Sequence, residues 1–381
     1  MNVVFVSNDP SIFSEQSSAR KRMREYASAV GALHIISPAH MGTKMTHEEV
    51  AGGSLTLHPV HGRKPFMFLK MVRQTREIIV REKIQIVSAQ DPFEYGWIAK
   101  RAVRGTNAKL HIQVHTDFLS PWFVRRHIYR SAKSHGPVFN KIRVRLADSV
   151  LPAAQGIRVV SERIYDSLIT KYEQRIIMPV VIPLTVSMDI PAPVPLPPHD
   201  FTFALITVGR LEPEKRIEDI LYALQKITEM YPSAGLLIVG EGRERERLEH
   251  LTKTLGLESK VVFLGNRNDA WGLMQSAQAY IQASAYEGYG RTLAEAALAR
   301  VPIITTDVGI VGEVLKGYDD VLAAPVADSS ALATHIRRLI EDNEIRRQYV
   351  INAEKAIREH LAHVHSGASA VAADLQKLIA P

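Results

Sequence analysis

Short apolar runs rich in β-branched residues alternate with amphipathic stretches along almost the whole chain. In the first half, residues 3–6, 84–87, 110–114 and 157–160 read as buried strands. In the second half the same reading falls on 203–208, 236–239, 261–264, 280–282 and 301–305. Between these runs the spacing of apolar positions predicts helices, as over 218–230 and 243–255. Continuous apolar strands separated by helices imply an α/β chain, because a strand without a polar face needs cover on both sides of its sheet.

The run 183–198 breaks this rhythm. It holds Pro183, Pro191, Pro193, Pro195, Pro197 and Pro198. Proline at that density can continue neither a helix nor a central strand, so the run reads as a stiff, extended linker. A new strand starts just after it, which sets a boundary near residue 200. The pattern therefore gives an N-terminal Rossmann-like domain over 1–185, a linker over 186–200 and a second Rossmann-like domain over 201–360. A final helical segment follows over 361–381, within a tail that reads as helical from about 344 to 379. Open parallel sheets bind ligands at the carboxyl ends of their strands. Two such sheets facing each other would enclose a cleft, the usual place for a pocket.

Composition narrows the class. With 381 residues the chain exceeds one ordinary core. It has no cysteine, which excludes disulfides and thiolate metal sites. Its start reads as a first strand, not a secretory leader, and no stretch reaches the ~20 apolar residues of a spanning helix. A cytoplasmic protein is expected on that basis, attached peripherally to a membrane face. The net charge of +7 divides unevenly: residues 1–200 carry 27 Lys and Arg against 16 Asp and Glu, and residues 201–381 carry 20 against 24. A basic half implies an anionic partner.

The chemistry concentrates in the second half. The strand Phe203–Val208 runs into Gly209-Arg210-Leu211-Glu212-Pro213-Glu214-Lys215, where a tight exit and a rigid proline hold Arg210 and Lys215 near the strand's carboxyl end. A guanidinium fork and a compact ammonium suit phosphate oxygens; a solvated pair of cations is the alternative. Further on, Glu287-Gly288-Tyr289-Gly290-Arg291-Thr292 leads into a good helix former that contains Glu295. A glycine loop opening a helix attracts anions through free amides. Ionised carboxylates only accept hydrogen bonds, so Glu287 and Glu295 suit sugar hydroxyls. Thr292 and Glu295 also have the spacing of a capping box, which needs no ligand.

Taken in order, several motifs carry a resemblance. They are Val208-Gly209-Arg210-Leu211 with Lys215, Leu237-Ile238-Val239-Gly240-Glu241-Gly242, Phe263-Leu264-Gly265, Glu287-Gly288-Tyr289-Gly290 with Glu295, and Thr306-Asp307-Val308-Gly309. Together they resemble the donor domain of the family 4 retaining glycosyltransferases, whose two-Rossmann-domain architecture is called GT-B. The resemblance covers 201–320. It implies that the C-terminal helix crosses back to the N-terminal domain. It implies that Arg210 and Lys215 bind the donor diphosphate, Glu287 the sugar and Glu295 the ribose. Backbone amides from Gly288 through Tyr289, Gly290 and Arg291 to Thr292 would line sugar and phosphate, with Gly209 nearby and Asn266 and Arg267 by the base. Ile310 stands where relatives often have a second glycine.

In the first half the strand 110–114 ends in His115-Thr116-Asp117. The residues alone leave a structural histidine open; the resemblance implies that His115 contacts the transferred sugar, with Asp117 a weaker candidate. Relatives place a glycine pair near the donor phosphates in the first strand-helix loop, where this chain has Ser17 and Ser18. Residues 121–145 hold Arg125, Arg126, Arg130, Lys133, Lys141, Arg143 and Arg145 without an acid, interleaved with Trp122, Phe123, Tyr129 and Phe139. That composition suits an anionic membrane surface. It suits nucleic acid less well, because no nucleic-acid module accompanies it.

The expectation is a retaining hexosyl transfer from a UDP- or GDP-sugar to a hydroxyl of a lipid-linked or cell-envelope glycan, with no cofactor or metal. Among the alternatives, a sugar-nucleotide epimerase leaves the basic aromatic segment unexplained, and a glycosidase leaves Arg210 and Lys215 idle. A non-catalytic membrane or nucleic-acid adaptor explains only the basic half.

Overall fold

The structure, a computed structural model, describes residues 1–125, 136–364 and 367–380. By its contacts the chain divides into two units. One holds Met1–Leu119, Val138–Leu184 and His365–Pro381; the other holds Ser120–Pro137 and Thr185–Val364. Residues 120–125 thus go with the second unit.

The first unit is built on an eight-stranded sheet. Its strands are β1 (Asn2–Val6), β2 (Ala32–Pro38), β3 (Thr46–Val50), β4 (Gly53–Val60), β5 (Ile86–Ala89), β6 (Lys109–Val114), β7 (Gly156–Val159) and β8 (Val180–Val181). The order is β3-β4-β2-β1-β5-β6-β7-β8, parallel except for β3, which runs antiparallel at the edge. The apolar strands β1 and β5 are wholly or almost wholly buried, as parallel central strands must be. The run expected at 84–87 forms two residues later. The C-terminal helix Gly367–Lys377 buries Val371 and Leu375 in this unit's core, together with Met23 and Ala27 of the helix Ser18–Val30.

The second unit holds β9 (Phe203–Val208), β10 (Ala234–Val239), β11 (Val261–Gly265), β12 (Ala279–Ile281), β13 (Ile303–Thr306) and β14 (Leu322–Ala324). Their order is β11-β10-β9-β12-β13-β14, and the pairs are parallel. The helix Ile217–Ile227 forms because Ile217, Ile220, Leu221, Leu224 and Ile227 recur at helical spacing and bury one face against the sheet. Each such side chain contributes about 1.5–3 kcal/mol of burial.

The proline-rich stretch is extended and lies along this unit. Val194 donates its amide to Gly272 O at 3.0 Å, and the Gln275 side chain reaches Pro191 O at 2.7 Å. The tail forms two helices, Asn343–His363 and Gly367–Lys377. Among the described residues no helix is long and apolar enough to cross a membrane.

Candidate functional site

The second sheet reverses its winding between β9 and β12: from β9 the chain moves outward to β10 and β11, then returns to the other side. Loops leaving the carboxyl ends of two such strands diverge and leave a crevice, the usual ligand position of an open α/β sheet. Lys215 follows β9 and Glu287 follows β12, so the topology puts both at this point.

Local packing fixes the two loops. After β9, Gly209 donates its amide to Val239 O at 3.0 Å and Leu211 donates to Glu241 O at 2.9 Å. A Cβ on Gly240 would lie 1.9 Å from Gly209 O, and one on Gly242 would lie 2.3 Å from Leu211 O. The Gly-Glu-Gly motif therefore lets the chain after β10 press against the chain after β9. The short turn Pro213–Lys215 then ends at Arg216, whose left-handed backbone (φ 48°, ψ 43°) starts the helix Ile217–Ile227. The buried guanidinium of Arg216 grips Asp219 through Nε (2.6 Å) and Nη2 (2.9 Å). This clamp sets where the preceding residue, Lys215, points.

Lys215 Nζ lies 2.5 Å from Glu287 Oε1, and Ser284 Oγ donates to the same oxygen at 2.7 Å. Among the described residues Oε2 of Glu287 takes no hydrogen bond. Ala285 N bonds Glu214 O at 2.7 Å and ties the two loops together by backbone. From β13, Thr306 Oγ1 donates to Ser284 O at 2.6 Å. Gly309, at φ 58°, lets its loop approach so closely that a Cβ there would sit 2.5 Å from Tyr289 O and 3.2 Å from Glu287 Cβ. Arg210 takes a different partner: it is exposed, with Nη2 3.6 Å from Glu214 Oε1.

The helix Arg291–Leu298 starts at Gly290, whose positive φ of 86° makes the turn, with no side-chain cap. The capping box suggested by Thr292 and Glu295 is not formed. Thr292 lies inside the helix, past the cap position, and its hydroxyl donates to Gln282 Oε1 at 3.0 Å. Glu295 accepts from Arg291 Nε at 2.8 Å, and burial raises its carboxyl pKa above the ordinary value. Leu293 N bonds Gly290 O at 2.8 Å, so among the described residues it is the amides of Arg291 and Thr292 that have no carbonyl one turn earlier to bond. Tyr289 is buried. Asn266 and Arg267 are exposed after β11, and Arg267 is forked onto Asp269 at 2.8 and 2.6 Å.

The remaining candidates belong to the first unit. Ser17 caps the helix Ser18–Val30, accepting from Arg20 N at 3.0 Å and donating to Ser11 O at 2.7 Å. Its hydroxyl is already engaged, and Ser18 is exposed beside it. His115 follows β6 with Nε2 3.2 Å from Gln113 Oε1. Burial, then the charge of Arg158, pushes its pKa down to about 3. Asp117 is buried two residues on.

Trp122 and Phe123, which sequence pattern assigned to a membrane face, turn inward. Trp122 packs with Ala285 and Val326, and Phe123 meets Tyr286 edge-on at 5.4 Å. The guanidinium of Arg216 lies 5.9 Å from the Trp122 ring. Arg126, Tyr129, Arg130 and Lys133 lie outside the described residues. Sequence reasoning missed Ser284 and Arg216; a serine two residues past Gln282 and an arginine beside a chosen lysine carry no pattern of their own.

Residues 197–356 match the family model Glycosyl transferases group 1. N-acetyl-alpha-D-glucosaminyl L-malate synthase of Bacillus anthracis is 32% identical over 156 residues, which are 41% of this chain and 40% of that protein. The match thus spans well under half of the relative's own length. Among solved structures, sucrose-phosphate synthase from Thermosynechococcus elongatus aligns over 99% of this chain and 98% of its own, with a TM-score of 0.78 and 17% identity. Anabaena HepE, solved with UDP-glucose, aligns over 99% of both chains, with a TM-score of 0.71 and 17% identity. These two likenesses extend the fold relationship to both units.

Proposed function

With residues 197–356 matching the glycosyl transferases group 1 family model, we propose that the chain is a retaining glycosyltransferase that uses a nucleoside-diphosphate sugar. The observation that carries this reading is the Lys215–Glu287–Ser284 cluster at the switch point of the second sheet. A carboxylate with one oxygen held by an ammonium and a serine keeps its other oxygen, Oε2, for a sugar hydroxyl. Lys215, Arg210 and the amides opening the helix Arg291–Leu298 supply positive potential for a departing diphosphate. Glu295 would accept from the ribose hydroxyls, Asn266 and Arg267 would flank the base, and His115 would contact the transferred sugar.

In the reaction the bond from the anomeric carbon to the diphosphate oxygen breaks through an oxocarbenium-like transition state. The acceptor hydroxyl attacks from the same face, and its proton passes to the departing phosphate oxygen. A UDP-sugar is the first donor to try, since the similar Anabaena structure was solved with UDP-glucose.

The acceptor we place on a lipid-linked or envelope glycan at an anionic membrane face. Supporting this, Val138, Phe139 and Ile142 are exposed on the helix Gly136–Val150, beside exposed Lys141 and Arg145. A second basic and apolar surface lies on the helix Phe66–Arg81. There Phe66 is 70% and Leu69 58% exposed, with Arg63, Lys64, Lys70 and Arg73 around them. Co-sedimentation with phosphatidylglycerol vesicles, but not phosphatidylcholine, is expected to weaken when Phe66 and Leu69 become Ser.

The deciding experiment is a thermal-shift panel of UDP-, GDP- and ADP-sugars. A donor that binds the folded state raises its melting temperature by mass action. No shift with any of them would sink the reading. A new sugar isomer with no transfer product would instead mark an epimerase.

A further inference from the structure

A line of buried polar side chains crosses the face of the first sheet that the C-terminal helix covers. Its members are cross-strand neighbours: Ser88 of β5 pairs with His111 of β6, and Gln113 of β6 pairs with Arg158 of β7. His111 and Gln113 lie two residues apart on β6 and so share a face, and His115, just past the strand's end, meets Gln113 there. Asp374, from the helix Gly367–Lys377, reaches His111 Nε2 at 3.3 Å. Gly156 makes the room, since a Cβ there would lie 2.9 Å from both the His111 ring and Leu378.

The hydrogen-bond polarity of this line is determined from both ends. A guanidinium only donates, and Arg158 Nη1 sits 3.0 Å from the Gln113 side chain, so Gln113 presents its oxygen there. Its amide nitrogen then faces Ser88 Oγ at 3.0 Å and donates to it. At the other end an ionised carboxylate only accepts, so His111 carries its proton on Nε2. Its bare Nδ1 accepts from Ser88 Oγ at 2.8 Å. Ser88 thus accepts from Gln113 and donates to His111, and the two ends agree. His115 Nε2 meets the same Gln113 oxygen at 3.2 Å and must donate to it.

We infer that this relay, from Asp374 through His111, Ser88 and Gln113, locks His115 as the neutral Nε2–H tautomer, leaving its Nδ1 lone pair to accept a sugar hydroxyl. The last clause rests on the proposed donor contact of His115; the relay does not. Arg158 is the anchor. It is buried and has no carboxylate partner among the described residues; it holds Ile182 O (3.0 Å) and Pro183 O (3.2 Å), and its fixed charge opposes protonation of the imidazole. The charged groups bearing on His115 are Arg158 and Arg22, and each disfavours a second proton; His111, neutral in the relay, adds no charge. Gln113, Ser88 and Asp374 are positioning residues, acting through His115.

Long-range proton–nitrogen NMR on the full chain, labelled with 15N-histidine and free of substrate, reads the tautomer directly. The expected spectrum at about pH 7 shows His115 only as Nε2–H, neutral, and Gln113→Met releases it to a mixture of both tautomers. An Nδ1–H form, an imidazolium, or an averaged mixture in the parent protein overturns the relay; this spectrum decides even if the variant does not fold. A separate titration with UDP-glucose tests the hydroxyl contact. Gln113→Met is expected to weaken the donor roughly five- to tenfold, the loss of about one hydrogen bond. Unchanged affinity would remove the sugar contact from His115.

Discussion

Lys215 and Glu287 stand 72 residues apart in the chain, yet the ammonium of one lies 2.5 Å from Oε1 of the other. The pair joins the loops after β9 and β12 and is largely shielded from solvent, with side chains 20% and 14% exposed. A partner removed from such a pair leaves the other charge desolvated. Lys215→Met and Glu287→Gln are each expected to lower kcat for transfer by roughly 10²-fold or more. The double variant should fall by far less than the product of the two, which initial rates in a double-mutant cycle will report. Full additivity would mean that the two do not act together.

Gly309 tests the approach of the β13 loop. An alanine there meets Tyr289 O at 2.5 Å and must keep φ near 58°. Left-handed backbone alone costs a non-glycine residue about 1 kcal/mol. Gly309→Ala is expected to lower the melting temperature by several degrees and weaken donor binding, whereas Gly256→Ala, with open space around its Cβ, should cost only the backbone term.

Arg216 is buried and forked onto Asp219 beside the Trp122 ring. Arg216→Met deprives a buried carboxylate of its guanidinium, at a cost of about 3–5 kcal/mol. Urea denaturation should show that loss, and Trp122 emission should shift. Arg216→Lys should recover little, because an ammonium cannot make the two-pronged contact. Recovery of most of the stability would show that charge alone suffices.

Burial depresses several histidines: His58 to about 4, His115 to about 3, and His34 and His111 in the same direction. The unfolded chain binds protons at these sites below about pH 6.5, while the folded protein does not. Stability therefore rises with pH in this range and falls on acidification, beginning near pH 6.5; the His58 share is lost by about 4, where His58 itself protonates, and the His115 share by about 3. For His58 alone the loss is at most roughly 3 kcal/mol. Denaturant midpoints across that range should show the slope, and His58→Phe should flatten it.

Much of the fold was legible in the alternation of apolar runs and helical periods, since both report burial that local sequence must satisfy. The runs 203–208 and 110–114 appear as β9 and the greater part of β6. The strands β2 and β4 escaped notice because His34, Thr56 and His58 interrupt their apolar pattern, and these are buried only because the sheet gives them partners. The Thr292–Glu295 capping box failed for a related reason. Spacing cannot tell which residue begins a helix, and the left-handed turn at Gly290 moved the start one residue ahead of Thr292.

By itself the sequence determined the residue chemistry: the strands and helices, the proline break, and which residues bear the charges and glycines. Only the tertiary structure decided their pairing. It turned Lys215 to Glu287 and Arg210 to Glu214, spent Ser17 on a helix cap, and drew Trp122 and Phe123 away from the surface. It also brought Asp374 to His111 across 263 positions of chain. Propensity and hydrophobic period act over a few residues. Hydrogen-bond partners are chosen by which strands lie side by side, and that is a property of the assembled sheets.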